Sequence, residues 1–206
     1  MQACRRYSKI NHPEAHYLFI EFHGSQTAVL EQVQPTRTIA EEIGCITFAS
    51  ADTSEEKSRL WEARHNACFA ALALRPGAQG QPTDVCVPIS RLAECINETR
   101  LDIERHGLIV PICGHVGDGN FHVLLLVYSD RPDEEAAAAT FNDRLIERAL
   151  RMNGTCTGEH GIGRGKLKYM SKEHGPAVTV MRQLKQAPDP PNILNPGKVI
   201  AAASSA

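Results

Sequence analysis

The apolar pattern opens with His16-Tyr17-Leu18-Phe19-Ile20-Glu21-Phe22-His23, an aromatic and β-branched run ended by Gly24, which predicts a strand. Ser25 then stands as a cap for a helix reaching about Ile43, stopped by Gly44. Residues 45–50 read as a second strand. Thr53 followed three positions later by Glu56 fits a capping box, opening a helix that extends to about Leu74. Residues 84–87 are strand-like, and residues 90–106 are helical with Gly107 as terminator. Two further strands follow at 108–113 and 120–128. An Ala-rich helix over 133–152 closes at Asn153-Gly154.

The implied fold class is α+β, because a tight hairpin among these strands makes the sheet at least partly antiparallel. A doubly wound arrangement is disfavoured for the same reason. From Thr155 the composition shifts to Gly, His, Lys and Pro, which predicts loops with one or two helices. Two parts are therefore expected, an α+β domain over 1–153 and a helical and loop subdomain over 154–206. There are no internal repeats, and the closing Ala-Ala-Ala-Ser-Ser-Ala is expected to fray.

Composition narrows the class without naming a chemistry. The 206 residues are 42% hydrophobic and 22% charged, ordinary values for a globular domain with a core of its own. A net charge of −2 gives no electrostatic case for nucleic acid or an anionic membrane. No apolar run approaches the roughly 20 residues that span a bilayer. The start, Met1 to Arg6, leads into polar sequence and does not resemble a signal peptide. Seven scattered cysteines with no Cys-x-x-Cys pair argue against a disulfide framework or a cysteine zinc site. A reducing compartment follows, cytoplasmic or, in a eukaryote, mitochondrial.

The densest chemistry lies in Gly114-His115-Val116-Gly117-Asp118-Gly119-Asn120-Phe121-His122. Asp-Gly between two strand-like runs signals a two-residue type I′ turn. With Asp118-Gly119 as that turn, His115 faces His122 across the ladder, with Cβ atoms roughly 4.5–5.5 Å apart on one face. Two imidazoles so placed can share a divalent metal. The bland alternative is a pair of polar residues on an exposed hairpin, so a third ligand is needed. Thr155-Cys156-Thr157-Gly158-Glu159-His160-Gly161-Ile162-Gly163 offers one in Glu159, a carboxylate beside a histidine and flanked by glycines. These glycines do not form Gly-x-Gly-x-x-Gly, and a dinucleotide fold is rejected.

Five stretches carry a resemblance. They are Trp61-Glu62-Ala63-Arg64-His65-Asn66, Thr83-Asp84-Val85-Cys86-Val87-Pro88, the two histidine motifs above, and Asn195-Pro196-Gly197-Lys198. In this order the chain resembles the C-terminal half of the FAD-linked oxidases of the vanillyl-alcohol oxidase superfamily, most closely the D-lactate dehydrogenase (cytochrome) branch. The resemblance implies a ferredoxin-like cap domain with a largely antiparallel sheet, then a small helical subdomain. It implies that His115, His122 and Glu159 bind zinc or manganese, that Arg64 holds a substrate carboxylate, and that His160 is the base taking the hydroxyl proton. Asn195 and Gly161 would lie beside the flavin.

The implied reaction is oxidation of a small D-2-hydroxy acid to its 2-oxo acid, with hydride passing to FAD. The implied partners are an FAD-binding domain or subunit and an electron acceptor such as a cytochrome or quinone, with homodimerisation possible. Enzymes of the resembling group carry a flavin-wrapping domain on the N-terminal side, and this chain opens at what would be the seam. On its own it is expected to be inactive. Dicarboxylate-oxidising members of the group have an Asn two residues after the second histidine; here that residue is Leu124. The rival readings are a metal-dependent hydrolase and a metal-binding module, neither needing flavin. His23, His65, His106 and His174 are expected to be surface or structural, and Arg164 to Lys168 a solvated helix start.

Overall fold

The computed structural model describes Cys4, Arg6, Tyr7 and residues 15–201. The closing residues 202–206, expected to fray, lie outside these, as does most of the segment before residue 15. The chain divides into two compact units, residues 1–74 and 75–206.

In the first unit, Ser25 accepts the Ala28 N–H at 3.3 Å and starts helix α1 (Gln26–Glu42). Gly44, at φ 84°, follows its end. The Thr53–Glu56 capping box forms in both directions and opens α2 (Ser54–His65). The single helix expected to reach Leu74 breaks at Asn66 (φ −87°, ψ 1°), which ends α2 and begins α3 (Ala67–Leu72). Phe19 packs against Trp61 at 5.6 Å between ring centroids. Neither expected strand of this unit, 16–23 or 45–50, joins a ladder among the described residues.

The second unit is organised on a single strand. β4 (Asn120–Val127) pairs antiparallel with β1 (Gln79–Pro82), β2 (Val85–Cys86) and β3 (Ile112–Cys113). The sheet is thus antiparallel throughout, within an α+β fold. Alternation along β4 sends Phe121, Val123, Leu125 and Val127 to one face, where they share a core with Phe141, Leu145, Ile146 and Ala149. Those four belong to α5 (Pro132–Arg151), and Cys95 of α4 (Ile89–Arg105) joins the same core. Pro132 at the first helical position and three acids in the first turn suit the start of α5, and Arg148 and Arg151 suit its end. The other face of β4 carries Asn120, His122, Leu124 and Leu126, all buried.

Beyond α5 come a 3-10 turn (Leu167–Tyr169) and two helices, α6 (Met170–His174) and α7 (Ala177–Gln186). Cys156 lies in the β4 core, so residues on both sides of position 153 belong to the second unit.

Candidate functional site

β1 and β2 keep one register along β4, with Pro82 opposite Leu124 and Val85 opposite Phe121. Between them the ladder is interrupted at Thr83 and Asp84, and that register sets Asp84 across from His122. The Thr83 hydroxyl accepts the Val123 N–H at 2.8 Å, while the Thr83 carbonyl accepts from His122 Nδ1 at 2.8 Å. A carbonyl can only accept, so Nδ1 is the donor in this bond and Nε2 is left to face the opposite side.

On the other edge the expected turn is corrected. Cys113, not His115, pairs with His122. Val116–Asp118 form a 3-10 turn and Gly119 alone is left-handed, at φ 77° and ψ 7°. A β-carbon at Gly119 would strike the Val87 carbonyl, so the tight approach of this loop to the segment after β2 requires glycine. The register differs from the expected one by two residues. An even slip preserves the face, so His115 still comes to the His122 side.

Glu159 joins them. His122 Nε2 lies 2.7 Å from Glu159 Oε1, and His115 Nε2 lies 3.9 Å from Glu159 Oε2. His122 is nearly buried, with its side chain 10% exposed, whereas His115 and Glu159 are half open at 56% and 46%. His160 stacks on His122 with ring centroids 4.9 Å apart and planes 6° from parallel. Two Nε2 atoms and a carboxylate, one imidazole already oriented by a carbonyl, are donors of the chemical type that divalent cations take.

Asp84 lies behind these side chains, 1% exposed. Burial pushes its pKa up. The N–H of His160, the hydroxyl of Thr157 and the amide of Asn120 outweigh that, holding it far below the usual carboxylate range. Lys166 Nζ contacts the Asp84 carbonyl at 3.0 Å and its carboxylate at 3.4 Å. This corrects the expectation of a solvated helix start around Lys166, whose side chain is only 14% exposed. The reason is tertiary: a buried carboxylate draws in the nearest flexible cation. Asn120 Nδ2 donates to Asp84 and to the Val85 carbonyl, and its Oδ1 is buried with no partner among the described residues. Asp84 had no sequence signal beyond membership of a motif, and Lys166 lay in a run that belonged to none.

Gly161 (φ 78°) and Asn195 (φ 50°) are both exposed. The Val199 N–H donates to the Gly163 carbonyl at 2.8 Å, tying the 195–199 turn to the glycine-rich loop. Asn195 Oδ1 accepts from Lys198 Nζ at 3.0 Å. Arg64 occupies the last turn of α2 in the first unit. His106 is structural as expected, its Nδ1 2.9 Å from Asp102.

Comparison with known proteins identifies the family of the chain. A model of the family described as FAD linked oxidases, C-terminal domain, matches residues 1–199. "Probable D-lactate dehydrogenase, mitochondrial" of Danio rerio is 49% identical over 201 residues, 97% of this chain and 40% of the relative. "D-lactate dehydrogenase [cytochrome], mitochondrial" of Arabidopsis thaliana is 39% identical over 191 residues, 92% of this chain and 34% of its own. "Glycolate oxidase subunit GlcD" of Bacillus subtilis is 32% identical over 200 residues, 95% of this chain and 42% of its own. The chain thus spans between about a third and two fifths of the length of these relatives.

Proposed function

The chain belongs to the family of FAD linked oxidases, C-terminal domain, and from that premise we propose that it is the substrate- and metal-binding part of a flavin-dependent D-2-hydroxy-acid dehydrogenase of the D-lactate type. The observation that carries the reading is the meeting of His115 and His122 on Glu159, with His160 stacked alongside.

In this reading His115, His122 and Glu159 hold zinc or manganese. Bound there, the cation would supply Lewis acidity to the substrate hydroxyl, and FAD, held mainly by an FAD-binding domain or subunit, would supply the hydride acceptor. The chain's own residues do the rest. Arg64 grips the substrate carboxylate through its two-pronged guanidinium and fixes the orientation of C2. His160 accepts the hydroxyl proton, a general-base role that an imidazole commonly fills. Residues 154–206, with Gly161 and Asn195, form the part that meets the flavin.

The Arabidopsis relative carries "cytochrome" and "mitochondrial" in its name, which supports a cytochrome as electron acceptor and a mitochondrial setting for this protein. No helix among the described residues is long and apolar enough to cross a membrane. Leu124 follows His122 by two residues on the same face of β4, so the ground beside the site is apolar. A small monocarboxylate fits that surface better than a dicarboxylate.

The test joins this chain to a matching flavin domain. D-lactate should reduce a dye, a chelator should abolish the reaction, and Zn²⁺ or Mn²⁺ should restore it. Ester hydrolysis by the colourless chain, with no response to D-lactate in the joined protein, would replace this reading with a metal-dependent hydrolase.

A further inference from the structure

Asp84, His122 and His160 offer ligand atoms within 4.8 Å of one another, and by proximity alone they could pass for the metal-binding set. Hydrogen-bond capacity argues otherwise. Asp84 Oδ2 receives the Thr157 hydroxyl at 2.7 Å, the N–H groups of Gly158, Glu159 and His160 at 2.9, 3.1 and 2.9 Å, and Lys166 Nζ at 3.4 Å. Its Oδ1 receives Asn120 Nδ2 at 2.8 Å. Five donors crowd the two lone-pair directions of Oδ2, and the His122 nitrogen nearest Oδ1, Nδ1 at 3.7 Å, already donates to the Thr83 carbonyl. Binding a cation at Oδ2 would strip buried N–H groups of their acceptor.

We infer that Asp84 is a positioning residue, not a ligand: it is an internal anion that folds the Gly158–His160 loop into its working shape before any metal arrives. Three consecutive N–H groups converging on one carboxylate oxygen fix the backbone of a segment that its glycines would otherwise leave free. With the backbone so held, the Glu159 side chain reaches His122 Nε2 at 2.7 Å and the His160 ring lies flat on His122. Gly158 is part of the device, because a β-carbon there would collide with Asn120 Nδ2. Lys166, bonded to both the carbonyl and the carboxylate of Asp84, supplies the counter-charge from the tail side.

The metal arm of the test rests on the function proposed above; the exchange arm does not. Asp84→Asn keeps the shape and removes the charge, and the experiment uses the 206-residue chain. Amide hydrogen exchange is followed by NMR, and Co²⁺ alone is titrated by its visible absorption. Exchange at Gly158, Glu159 and His160 should accelerate at least tenfold in the variant, while amides of β4 keep their protection. Co²⁺ affinity should fall about 10- to 100-fold, the usual effect of losing an outer-shell partner. The position of the Co²⁺ bands should not move, because the ligands are unchanged.

A shifted or missing Co²⁺ band in Asp84→Asn would make Asp84 a ligand and overturn the inference. Unchanged exchange at the three amides, or wild-type Co²⁺ affinity in the variant, would overturn it equally. Should the parent chain bind no Co²⁺, the metal reading fails and the exchange arm decides the role of Asp84 alone. Should Asp84→Asn not fold, Thr157→Val removes one donor and leaves the charge. It should quicken exchange of the same three amides several-fold, and no change there would refute the positioning role.

Discussion

His122 Nε2 and Glu159 Oε1 lie 2.7 Å apart, one on a buried strand and the other on a half-open loop. The imidazole is aligned from behind by Thr83, so its Nε2 is committed to this direction. His115 approaches the other oxygen of the same carboxylate from the solvent side at 3.9 Å. The two histidines should therefore contribute unequally. His122→Ala should weaken Zn²⁺ binding at least 100-fold in a calorimetric titration, and His115→Ala by a smaller factor. Equal, small losses from both variants would mean that the carboxylate and histidines do not share an ion.

The glycines of the site loop differ sharply in what they tolerate. A β-carbon at Gly158 would meet the Asn120 side chain and come within 3.0 Å of Asp84 Oδ1, whereas one at Gly165 would meet nothing within 4 Å. Gly158→Ala should cost about 1–3 kcal/mol, the usual range for overpacking a filled space. Gly165→Ala should be neutral or stabilise by roughly 0.4–1 kcal/mol through the unfolded chain. Denaturant midpoints of the two variants check this directly, and equal shifts would contradict it.

The hairpin and the carboxylate loop could be read from sequence because their signals are local: Asp-Gly for a turn, glycines around Glu159 for close approach. The face on which the histidines meet came through although the register did not. Turn chemistry in Val116-Gly117-Asp118-Gly119 permits both a type I′ turn and a 3-10 turn with one left-handed glycine. Contact between Gly119 and the Val87 carbonyl decides between them, and that is a tertiary event. β1 was invisible because Gln79-Gly80-Gln81-Pro82 has no strand propensity and owes its form to the edge that β4 offers. Residues 16–23 show the reverse case, a strand-like pattern that joins no ladder among the described residues. Asp84 could not be read as a hub, since its donors lie in a loop far along the chain.

Asp102 links α4 to α5 as a buried acid between two arginines. Its carboxylate meets Arg144 at 2.8 Å and Arg148 at 2.9 Å, with His106 at 2.9 Å. Burial pushes the Asp102 pKa up, but the hydrogen bonds from Arg144 and Arg148 outweigh it and the net shift is downward. A depressed folded-state pKa stabilises the fold above the unfolded value near 3.9, and the contribution is lost as pH falls through the folded value. Asp102→Asn should lower stability by roughly 3–5 kcal/mol at pH 7, because Arg148 is left buried with less compensation. It should also flatten the fall of melting temperature below about pH 4. Parallel pH profiles for variant and parent would count against this linkage.

In the proposed reading, substrate choice turns on Leu124. It shares a face of β4 with His122, is 9% exposed, and is followed on that face by Leu126 at 4%. In the proposed reading Arg64 and the metal site secure the carboxylate and hydroxyl common to all 2-hydroxy acids, so selectivity falls to what surrounds the remaining side chain. A methyl or short alkyl group gains from apolar contact, each methylene worth about 1–3 kcal/mol. A second carboxylate placed against Leu124 loses water and finds no donor, which is costly for a charged group. The joined protein should therefore turn over D-lactate and D-2-hydroxybutyrate with kcat/KM at least 100-fold above D-2-hydroxyglutarate. Leu124→Asn supplies one hydrogen bond to that charge, worth roughly 1.5–3 kcal/mol, and should narrow the gap at least tenfold while D-lactate loses efficiency. Equal or better efficiency of the parent protein on the dicarboxylate would overturn the monocarboxylate assignment and release Leu124 from any part in it.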